Sequence, residues 1–373
     1  MNVIFTCGGT GGHINPAIAL ANTLREKDPT VNILFVGCIG EMEEQLVPKA
    51  GFEIRCLPGS RFFRQLNLKN IKRNVQGVGR ILSALKGAKK IIREFQPDVI
   101  VGTGGYASFP ALFMGSKMGI PTCVHEANAV PGLATRLAAG SADRILVNFA
   151  ESGKAYKQQE KVTCVGMPVR SEFLYTKRED ARRELGLDER PLIVSAFGSL
   201  GAKAMNEVMA EFMKIEQDAG LPFQHIHATG SYGWEWMPGL VKEKGVDLQE
   251  GSIDMREYIY NMPTLMAAAD IFISRAGASS CNEIAVSGTP CILIPSPNVT
   301  DNHQEKNARI VEERGGCVLL LERDCSGQRL YREVEALLAD NERRRAMRRA
   351  LIDTSMPDSA ERICDIIREL AKK

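Results

Sequence analysis

Residues 2–13, Asn-Val-Ile-Phe-Thr-Cys-Gly-Gly-Thr-Gly-Gly-His, predict a buried strand that runs directly into a glycine-rich turn. Four glycines within positions 8–12 let the backbone approach a ligand closely and point amide hydrogens at it. A helix predicted from about Ile14 adds the partial positive charge of its N-terminus. These features favour an anion-binding loop at the first turn of a parallel α/β sheet, with His13 as a chemical group at the helix start.

The spacing of this loop argues against two familiar nucleotide motifs. Counted from Gly9, the dinucleotide fingerprint needs its third glycine where Ile14 stands, and the second strand ends in Val36-Gly37-Cys38 without an acidic residue. NAD is therefore disfavoured, and no Gly-Lys-Ser/Thr run at Walker spacing is present. The alternative is that the loop is only the tight first turn of an ordinary doubly wound sheet. That alternative gives His13 no chemical role.

Strand-like and helix-like runs alternate along the chain, which predicts parallel sheets, and the pattern restarts near residue 191. We predict an α/β fold of two Rossmann-like domains, residues 1–165 and 166–355, with a C-terminal helix in 356–373 returning to the first domain. Predicted strands lie at 2–7, 31–37, 52–57, 98–102, 121–125, 144–148, 162–165, 191–197, 223–229, 246–250, 270–274 and 290–294. Predicted helices lie at 14–27, 41–49, 71–95, 107–118, 131–139, 202–219, 262–268, 279–287 and 303–314.

Composition indicates a soluble globular protein: the chain has 373 residues, 44% of them apolar and 25% charged. We expect neither a signal peptide nor a transmembrane helix, because no basic leader precedes the first strand and the apolar runs are strand-sized. The ten cysteines lack any Cys-x-x-Cys pair. They are therefore expected to be reduced, and no structural zinc or other metal site is expected.

One segment is strongly basic. Between Glu53 and Glu94 lie eleven Lys or Arg residues and no acidic one. Within it, cationic and aromatic side chains alternate, which suits docking on an anionic membrane surface better than binding nucleic acid, since no nucleic-acid module is present. The predicted membrane patch consists of Arg61, Phe62, Phe63, Arg64, Lys69, Lys72 and Arg73. The alternative is a helix whose apolar side packs on the sheet while its lysines are merely solvated.

The second half carries the segment with the strongest chemical signal, residues 270–283. A strand ends at Ser274, small residues form a turn, and a helix predicted from about Ser279 offers free amides to a diphosphate. Glu283, one turn further on, can accept hydrogen bonds from ribose hydroxyls, although an acid there could also only complement the helix dipole. After the next strand, the polar loop 298–304 is placed for sugar hydroxyls. In the first half, 102–106 and 125–128 likewise follow strands.

Taken in order, these segments resemble the MurG family of bacterial N-acetylglucosaminyltransferases. The matching segments are 8–16, 102–106, 125–128, 166–170, 197–199, 275–283 and 301–304. The resemblance spans nearly the whole chain and implies the GT-B fold, in which two Rossmann-like domains face a cleft. It implies transfer of GlcNAc from UDP-GlcNAc, with inversion, to the MurNAc 4-hydroxyl of lipid I (undecaprenyl-diphospho-MurNAc-pentapeptide), giving lipid II for peptidoglycan synthesis. It also implies a peripheral location on the cytoplasmic face of the bacterial cell membrane.

The resemblance also implies roles for individual residues. The uracil of the donor would lie by Ile259 and Arg170, its ribose by Glu283, and its phosphates by Ser199 and the start of the 277–283 helix. The residues of that helix start are Gly277, Ala278, Ser279, Ser280 and Cys281, and Asn282 after them is also expected to bind substrate. The donor GlcNAc would contact Asn128, Gln304 and the loop residues Thr10, Gly11 and Gly12. Tyr106 belongs to the same substrate-binding set.

Inversion requires direct attack by the acceptor hydroxyl, so a base must take its proton while UDP leaves. His13 is the candidate base, or else holds the acceptor diphosphate, and Glu126 is a second candidate base. No Asp-x-Asp motif is present to hold a diphosphate-bound cation, so we predict a metal-independent reaction without a cofactor. Two alternatives stay open. One is a GT-B transferase acting on another membrane lipid such as diacylglycerol, and the other is a non-catalytic protein that binds sugar nucleotides.

Overall fold

The computed structural model of the chain describes residues 1–59, 68–248 and 252–372, with the backbone alone for 68–78. The chain divides into two compact units. The first contains residues 1–169 and 356–373, and the second contains residues 170–355.

The first unit is built on a parallel sheet of seven strands in the order β3-β2-β1-β4-β5-β6-β7. Its strands are β1 (Asn2–Thr6), β2 (Asn32–Cys38), β3 (Glu53–Leu57), β4 (Val99–Gly102), β5 (Thr122–Glu126), β6 (Arg144–Val147) and β7 (Val162–Cys164). Its first six helices are α1 (Gly11–Lys27), α2 (Glu43–Lys49), α3 (Leu68–Phe95), α4 (Ser108–Lys117), α5 (Leu133–Ala139) and α6 (Ala150–Gly153). A short 3₁₀ turn occupies Gln159–Lys161.

Alternate side chains of β1 enter opposite layers of the core, as the twofold period of a strand requires. Val3 and Phe5 pack in the layer that holds α1, whereas Ile4 packs in the layer that holds α4. Both faces of the sheet are thus covered by helices, which explains why the central strands β1, β2 and β4 are nearly continuous apolar runs rather than alternating with polar residues.

The second unit has a parallel sheet of six strands in the order β10-β9-β8-β11-β12-β13. Its strands are β8 (Leu192–Ala196), β9 (Gln224–Ala228), β10 (Ile253–Arg256), β11 (Ile271–Ser274), β12 (Cys291–Leu293) and β13 (Val318–Leu319). Its helices are α7 (Glu172–Tyr175), α8 (Arg178–Glu184), α9 (Lys203–Asp218), α10 (Ser231–Trp234), α11 (Met237–Glu243), α12 (Met262–Ala268), α13 (Ala278–Ser287), α14 (His303–Glu313), α15 (Gly327–Ala339) and α16 (Asn341–Thr354). Two 3₁₀ turns lie at Thr300–Asn302 and Glu322–Asp324.

The last helix, α17 (Ser359–Leu370), packs in the core of the first unit. Ile363, Cys364 and Ile367 are fully buried there, and the thiol of Cys364 donates to the carbonyl of Leu20 in α1 at 3.8 Å. The chain therefore leaves the first unit near Arg170 and returns to it near Met356. At this crossing Gly166 has a φ of +75°, and a Cβ there would lie 2.7 Å from the Cβ of Met356.

Most predicted elements are found within a few residues of their expected ends, but the predicted strand 246–250 is wrong over 246–248. These residues follow α11, where Gly245 takes a φ of +77° and the amide of Val246 donates to the carbonyl of Val241. This is the Schellman ending of a helix, and the buried Val246 is its hydrophobic cap. The strand of this region is β10, several residues later. Strands β10 and β13 and helices α6, α7, α8, α10, α11 and α15 were not predicted.

Candidate functional site

The strand order of the first unit turns back between β1 and β4, and ligands of open α/β sheets bind outside the carboxyl ends of strands at such a switch point. The loop after β1 and the loop after β4 meet there through glycines. A Cβ on Gly105, whose φ is +80°, would lie 2.1 Å from the carbonyl oxygen of Gly8. A Cβ on Gly104 would lie 2.7 Å from Cδ2 of His13. The hydroxyl of Thr103 donates to the carbonyl of His13 at 2.7 Å.

Helix α1 begins at Gly11, three residues before the predicted start, because Thr10 is extended and its carbonyl already accepts from the amides of His13 and Ile14. His13 therefore lies within the first turn. Its Nδ1 lies 3.1 Å from the Gly8 carbonyl oxygen and 3.3 Å from the Thr10 hydroxyl. The amides of Gly11 and Gly12 belong to this first turn and have no acceptor within the helix. The arrangement can bind an anion and presents an imidazole beside it.

The carboxylate of Glu43, at the start of α2, supports this loop, although no sequence motif marks it. Glu43 is fully buried, its Oε2 accepts from the amide of Gly9 at 3.0 Å, and its Oε1 accepts from the amide of Cys38 at 2.9 Å. Any side chain on Gly8 would collide with it, since a Cβ there would lie 2.3 Å from Oε1. Nothing in its local sequence distinguishes Glu43 from the exposed Glu44 beside it.

Tyr106 is positioned next to the same loop. Its hydroxyl donates to Oε1 of Glu41 at 2.5 Å, and its ring lies 3.5 Å from where a Cβ on Gly9 would be. The predicted substrate residue thus lies beside the glycine loop and is held by an acid that no motif marked.

Glu126 ends β5 and is nearly completely buried. Its Oε1 accepts from the amide of Asn128 at 2.9 Å, and its Oε2 accepts from the amide of Gly132 at 3.0 Å. Because both oxygens hold main-chain donors of the following loop, the geometry favours a positioning role for Glu126 over its predicted role as a base. Beside it, Nε2 of the buried His125 donates to the carbonyl of Gly166 at 2.8 Å, and burial lowers the pKa of this histidine.

The second unit has its own switch point between β8 and β11. Ser199 lies in the exposed loop after β8, and its carbonyl accepts from the amide of Ser231 at 3.2 Å. The loop also docks through Gly201, where a Cβ would lie 2.0 Å from the carbonyl oxygen of Thr229. The predicted phosphate residue is therefore held on a loop fixed by main-chain contacts.

Helix α13 follows β11 and begins with free amides. Gly277 is its extended N-cap, no side chain caps it, and its first turn contains no acidic residue. The amides of Ala278, Ser279 and Ser280 have no acceptor within the helix, because the first helical bond runs from the Cys281 amide to the Gly277 carbonyl. The Cys281 thiol is buried, and the side-chain amide of Asn282 donates back to the Ala278 carbonyl at 2.8 Å. An anion at this helix start would therefore be bound by main-chain amides rather than by the side chains of Cys281 or Asn282.

Glu283 lies in the second turn of α13 and is partly buried. Burial raises the pKa of its carboxyl to about 7, and the positive charge of Arg170 opposes that rise. Arg170 itself stacks its guanidinium over the ring of Phe173, 5.2 Å from the ring centre. The structure thus brings the predicted ribose and uracil residues into electrostatic contact. Ile259, also predicted near the uracil, is buried, whereas its sequence neighbours Tyr258 and Tyr260 are exposed and their rings contact each other, with centres 4.8 Å apart.

The loop before α14 is strained where the sequence predicted sugar contacts. Asp301 and Asn302 have φ values of +55° and +51°, which non-glycine residues rarely adopt. Gln304 follows, and its side-chain oxygen accepts from the amide of Ser296 at 2.9 Å. Arg275 ties this loop to the α13 turn by donating to the carbonyl of Ile294 at 3.1 Å.

Ser195, His225 and Glu216 are arranged like a catalytic triad but are not one. Ser195 Oγ lies 2.8 Å from Nε2 of His225, whose Nδ1 lies 2.9 Å from Oε2 of Glu216. Ser195 also contacts Nδ1 of His227 at 2.7 Å. All four side chains are fully buried in the core, so the hydroxyl cannot reach a substrate.

The predicted membrane patch lies only partly in the described chain. Arg61, Phe62, Phe63 and Arg64 lie outside the described residues, and Lys69, Lys72 and Arg73 lie on the described backbone of α3. Among the helices described, none combines the length and apolar character needed to span a membrane. The described residues also contain no group of three or more His, Cys, Asp or Glu side chains arranged to hold a metal ion.

Comparison with known structures concerns the fold. The crystal structure of MurG from Acinetobacter baumannii superposes with a TM-score of 0.77 at 23% identity, covering 99% of each chain. A UDP-GlcNAc 2-epimerase from Neisseria meningitidis, bound to UDP-GlcNAc, gives a TM-score of 0.65 at 14% identity, over 99% of this chain and all of the other. With the two parallel sheets described above, these likenesses confirm the predicted GT-B fold.

Comparison of sequences identifies the family. The glycosyltransferase family 28 N-terminal domain matches residues 3–147, and the family 28 C-terminal domain matches residues 192–363. The UDP-N-acetylglucosamine–N-acetylmuramyl-(pentapeptide) pyrophosphoryl-undecaprenol N-acetylglucosamine transferase of Acetivibrio thermocellus is 39% identical over all of this chain and 99% of its own. Its counterpart in Bacillus cereus is 35% identical over the full length of both chains. The chain therefore belongs to the MurG family of N-acetylglucosamine transferases, within glycosyltransferase family 28.

Proposed function

We propose that the chain transfers GlcNAc from UDP-GlcNAc to the MurNAc 4-hydroxyl of lipid I and so forms lipid II for peptidoglycan synthesis. The observation that carries this proposal is the 39% identity to such a transferase over the whole length of both chains. A partial match could reflect a shared donor domain alone. Here the likeness includes the first unit, which would recognise the acceptor, and therefore favours lipid I over another lipid.

The donor nucleotide is assigned to the second unit. The free amides at the start of α13 and the loop of Ser199 suit a diphosphate, because a helix N-terminus favours negative charge. Glu283 would accept the ribose hydroxyls, and Arg170 with the loop of Ile259 would hold the uracil. As the bond to UDP breaks, negative charge grows on the diphosphate, and these fixed donors stabilise it.

The first unit would supply the acceptor site and the base. Within the first unit, the amides of Gly11 and Gly12 together with Asn128 suit the acceptor's diphosphate or the donor GlcNAc. Gln304 of the second unit stays a predicted contact of the donor GlcNAc. The acceptor oxygen attacks the anomeric carbon as the bond to UDP breaks, and His13 takes the hydroxyl proton. His13 is favoured over Glu126 because the two carboxylate oxygens of Glu126 already hold the amides of Asn128 and Gly132.

A lipid-linked acceptor requires the enzyme to work at the membrane surface. We assign this contact to the basic and aromatic segment within residues 61–73, on the inner face of the cell membrane. A cation near anionic headgroups contributes about 1 kcal/mol, so a cluster of them can hold a peripheral protein there.

Transfer of radiolabel from UDP-GlcNAc to lipid I and, separately, to diacylglycerol tests the proposal. We expect labelled lipid II with the first acceptor and no product with the second. Labelled diacylglycerol would establish the other lipid transferase, and no product with either would favour a non-catalytic protein. His13→Ala is expected to lower kcat by about 10²- to 10⁴-fold, the range of a general base, whereas Glu26→Ala on the exposed far end of α1 serves as the matched control. Full turnover by His13→Ala would remove His13 from the mechanism.

A further inference from the structure

Both polar groups of the peptide bond between Gly8 and Gly9, its N–H and its carbonyl, contact side chains. Its N–H, on Gly9, donates to Oε2 of Glu43 at 3.0 Å. Its carbonyl, on Gly8, lies 3.1 Å from Nδ1 of His13. A trans peptide points these two groups in opposite directions, so a partner that fixes the N–H also aims the carbonyl. Glu43 and His13 are thus connected through one rigid peptide unit.

This connection determines which nitrogen of His13 carries the proton. A carbonyl oxygen can only accept a hydrogen bond, so Nδ1 must be the donor in its contact with Gly8. In a neutral imidazole the other nitrogen, Nε2, is then the basic one. The ring is also given room at this nitrogen by Gly104, where a Cβ would lie 3.1 Å from Nε2.

The burial of Glu43 makes its hold on the peptide strong. The side chain is fully buried, and its second oxygen accepts from the amide of Cys38 at the end of β2, which fixes the carboxylate itself. Hydrogen bonds to an ionised group are stronger than neutral ones, and a chain of bonds polarises its members. The Gly8 carbonyl therefore becomes a better acceptor for the His13 Nδ1–H.

We propose that Glu43 is a positioning residue for the transfer reaction, which acts through the Gly8–Gly9 peptide to hold His13 in its Nδ1–H tautomer with Nε2 as the proton acceptor. The inference rests on the proposed function in one respect, the role of His13 as the base. The tautomer itself is a property of the substrate-free protein and does not depend on turnover.

The test is a two-bond ¹H–¹⁵N spectrum of the full chain with ¹⁵N-labelled histidine at pH 8, with the His13 signals assigned by His13→Gln. We expect the Nδ1–H tautomer in the unsubstituted protein and a loss of that preference in Glu43→Gln. Turnover of Glu43→Gln should show kcat lowered about 10- to 100-fold, the range for losing a residue that orients a metal-bound histidine through hydrogen bonds, with KM for UDP-GlcNAc little changed. Glu44→Gln, on the adjacent exposed carboxylate, is the matched control and should change neither quantity.

An Nε2–H tautomer in the unsubstituted protein would overturn the inference even if Glu43→Gln failed to fold. So would a kcat loss in Glu43→Gln with the tautomer intact or, where His13→Ala lowers kcat as expected, a changed tautomer with kcat intact. His13→Ala could instead turn over normally while the Nδ1–H tautomer still depends on Glu43. Glu43 would then orient His13 in the folded protein, but His13 would not be the base.

Discussion

Gly105 lies against the carbonyl oxygen of Gly8, so that even a methyl group on Gly105 would come within 2.1 Å of it. The contact joins the two glycine loops of the first unit main chain to main chain. Gly105→Ala is therefore expected to force the loops apart and to lower kcat at least about 100-fold, since small misplacements of reacting groups have effects of this size. Steady-state transfer to lipid I measures it.

Gly119→Ala provides the matched control for this variant. Gly119 has a φ of +77°, close to the +80° of Gly105, but a Cβ there has nothing within 4 Å. Both variants bear the same backbone strain, and only one produces the collision. Equal kcat values for the two would show that the close contact has no bearing on the reaction.

The raised pKa of Glu283 predicts that donor binding depends on pH. The carboxyl titrates at about 7, so it loses its charge between pH 8 and pH 6, and KM for UDP-GlcNAc should rise up to about 10-fold over that range. The donor's diphosphate does not titrate there. Removing the opposing charge with Arg170→Gln should move the midpoint to higher pH, whereas Arg183→Gln, at an exposed arginine of α8, should leave it in place. A flat profile for the unsubstituted protein contradicts this assignment.

Charge reversal tests the membrane surface. Replacing Arg64, Lys69, Lys72 and Arg73 by Glu should reduce sedimentation with anionic liposomes while leaving affinity for UDP-GlcNAc intact. The same change of net charge at the exposed Arg183, Arg343, Arg345 and Arg349 of the second unit serves as control. Equal losses from both sets would point to net charge alone, and unchanged sedimentation of the first set would remove the proposed patch.

We expect turnover to survive chelation of divalent cations. The charge of the departing UDP is assigned to the amides at the start of α13, to Arg170 and to the loop of Ser199, so no bridging cation is required. Transfer in the presence of EDTA should match transfer without it. Activity lost in EDTA and restored by magnesium or manganese would contradict the prediction.

The buried His125 predicts a loss of stability in mild acid. Burial lowers its pKa in the folded chain, against the opposing effects of the Gly166 carbonyl and Glu126. Below about pH 6.5 the unfolded chain takes up a proton that the folded chain does not, so the free energy of unfolding should fall by up to about 1.4 kcal/mol per pH unit. Urea unfolding of the first unit at pH 8 and pH 5.5 measures this, and His125→Asn should reduce the difference. If His125→Asn leaves the difference in unfolding free energy between the two pH values unchanged, other titrating groups cause it.

Periodicity and turn chemistry were enough to predict the two sheets, because parallel strands buried on both faces are nearly continuous apolar runs. They failed at Val246, where an apolar residue after a glycine caps a helix instead of starting a strand. An apolar residue after a glycine looks the same in sequence whether it caps a helix or begins a strand. Only the fold determines which of the two it does. Strand β13 has two residues and no period to detect.

The loops of the site were predictable because glycine and small residues mark main-chain ligand contacts. The side chains that hold these loops in place were not predictable. Glu43 and Glu41 are acids on or before an ordinary helix, and they become significant only when β1 and β2 bring their ends together. Likewise, Glu126 was predicted from its position at a strand end, but the amides that occupy its oxygens come from the loop that follows.

The crossing of the chain at Gly166 and Met356 has a consequence for synthesis on the ribosome. Because Ile363, Cys364 and Ile367 of α17 fill the core beside β1 and α1, the first unit to be translated is the last that can be completed. The second unit has its whole sequence available beforehand and can fold as translation proceeds. Nascent chains that end at residue 358 and are stalled on a linker long enough to fill the exit tunnel should therefore protect the second unit from proteases while the first stays open to cleavage.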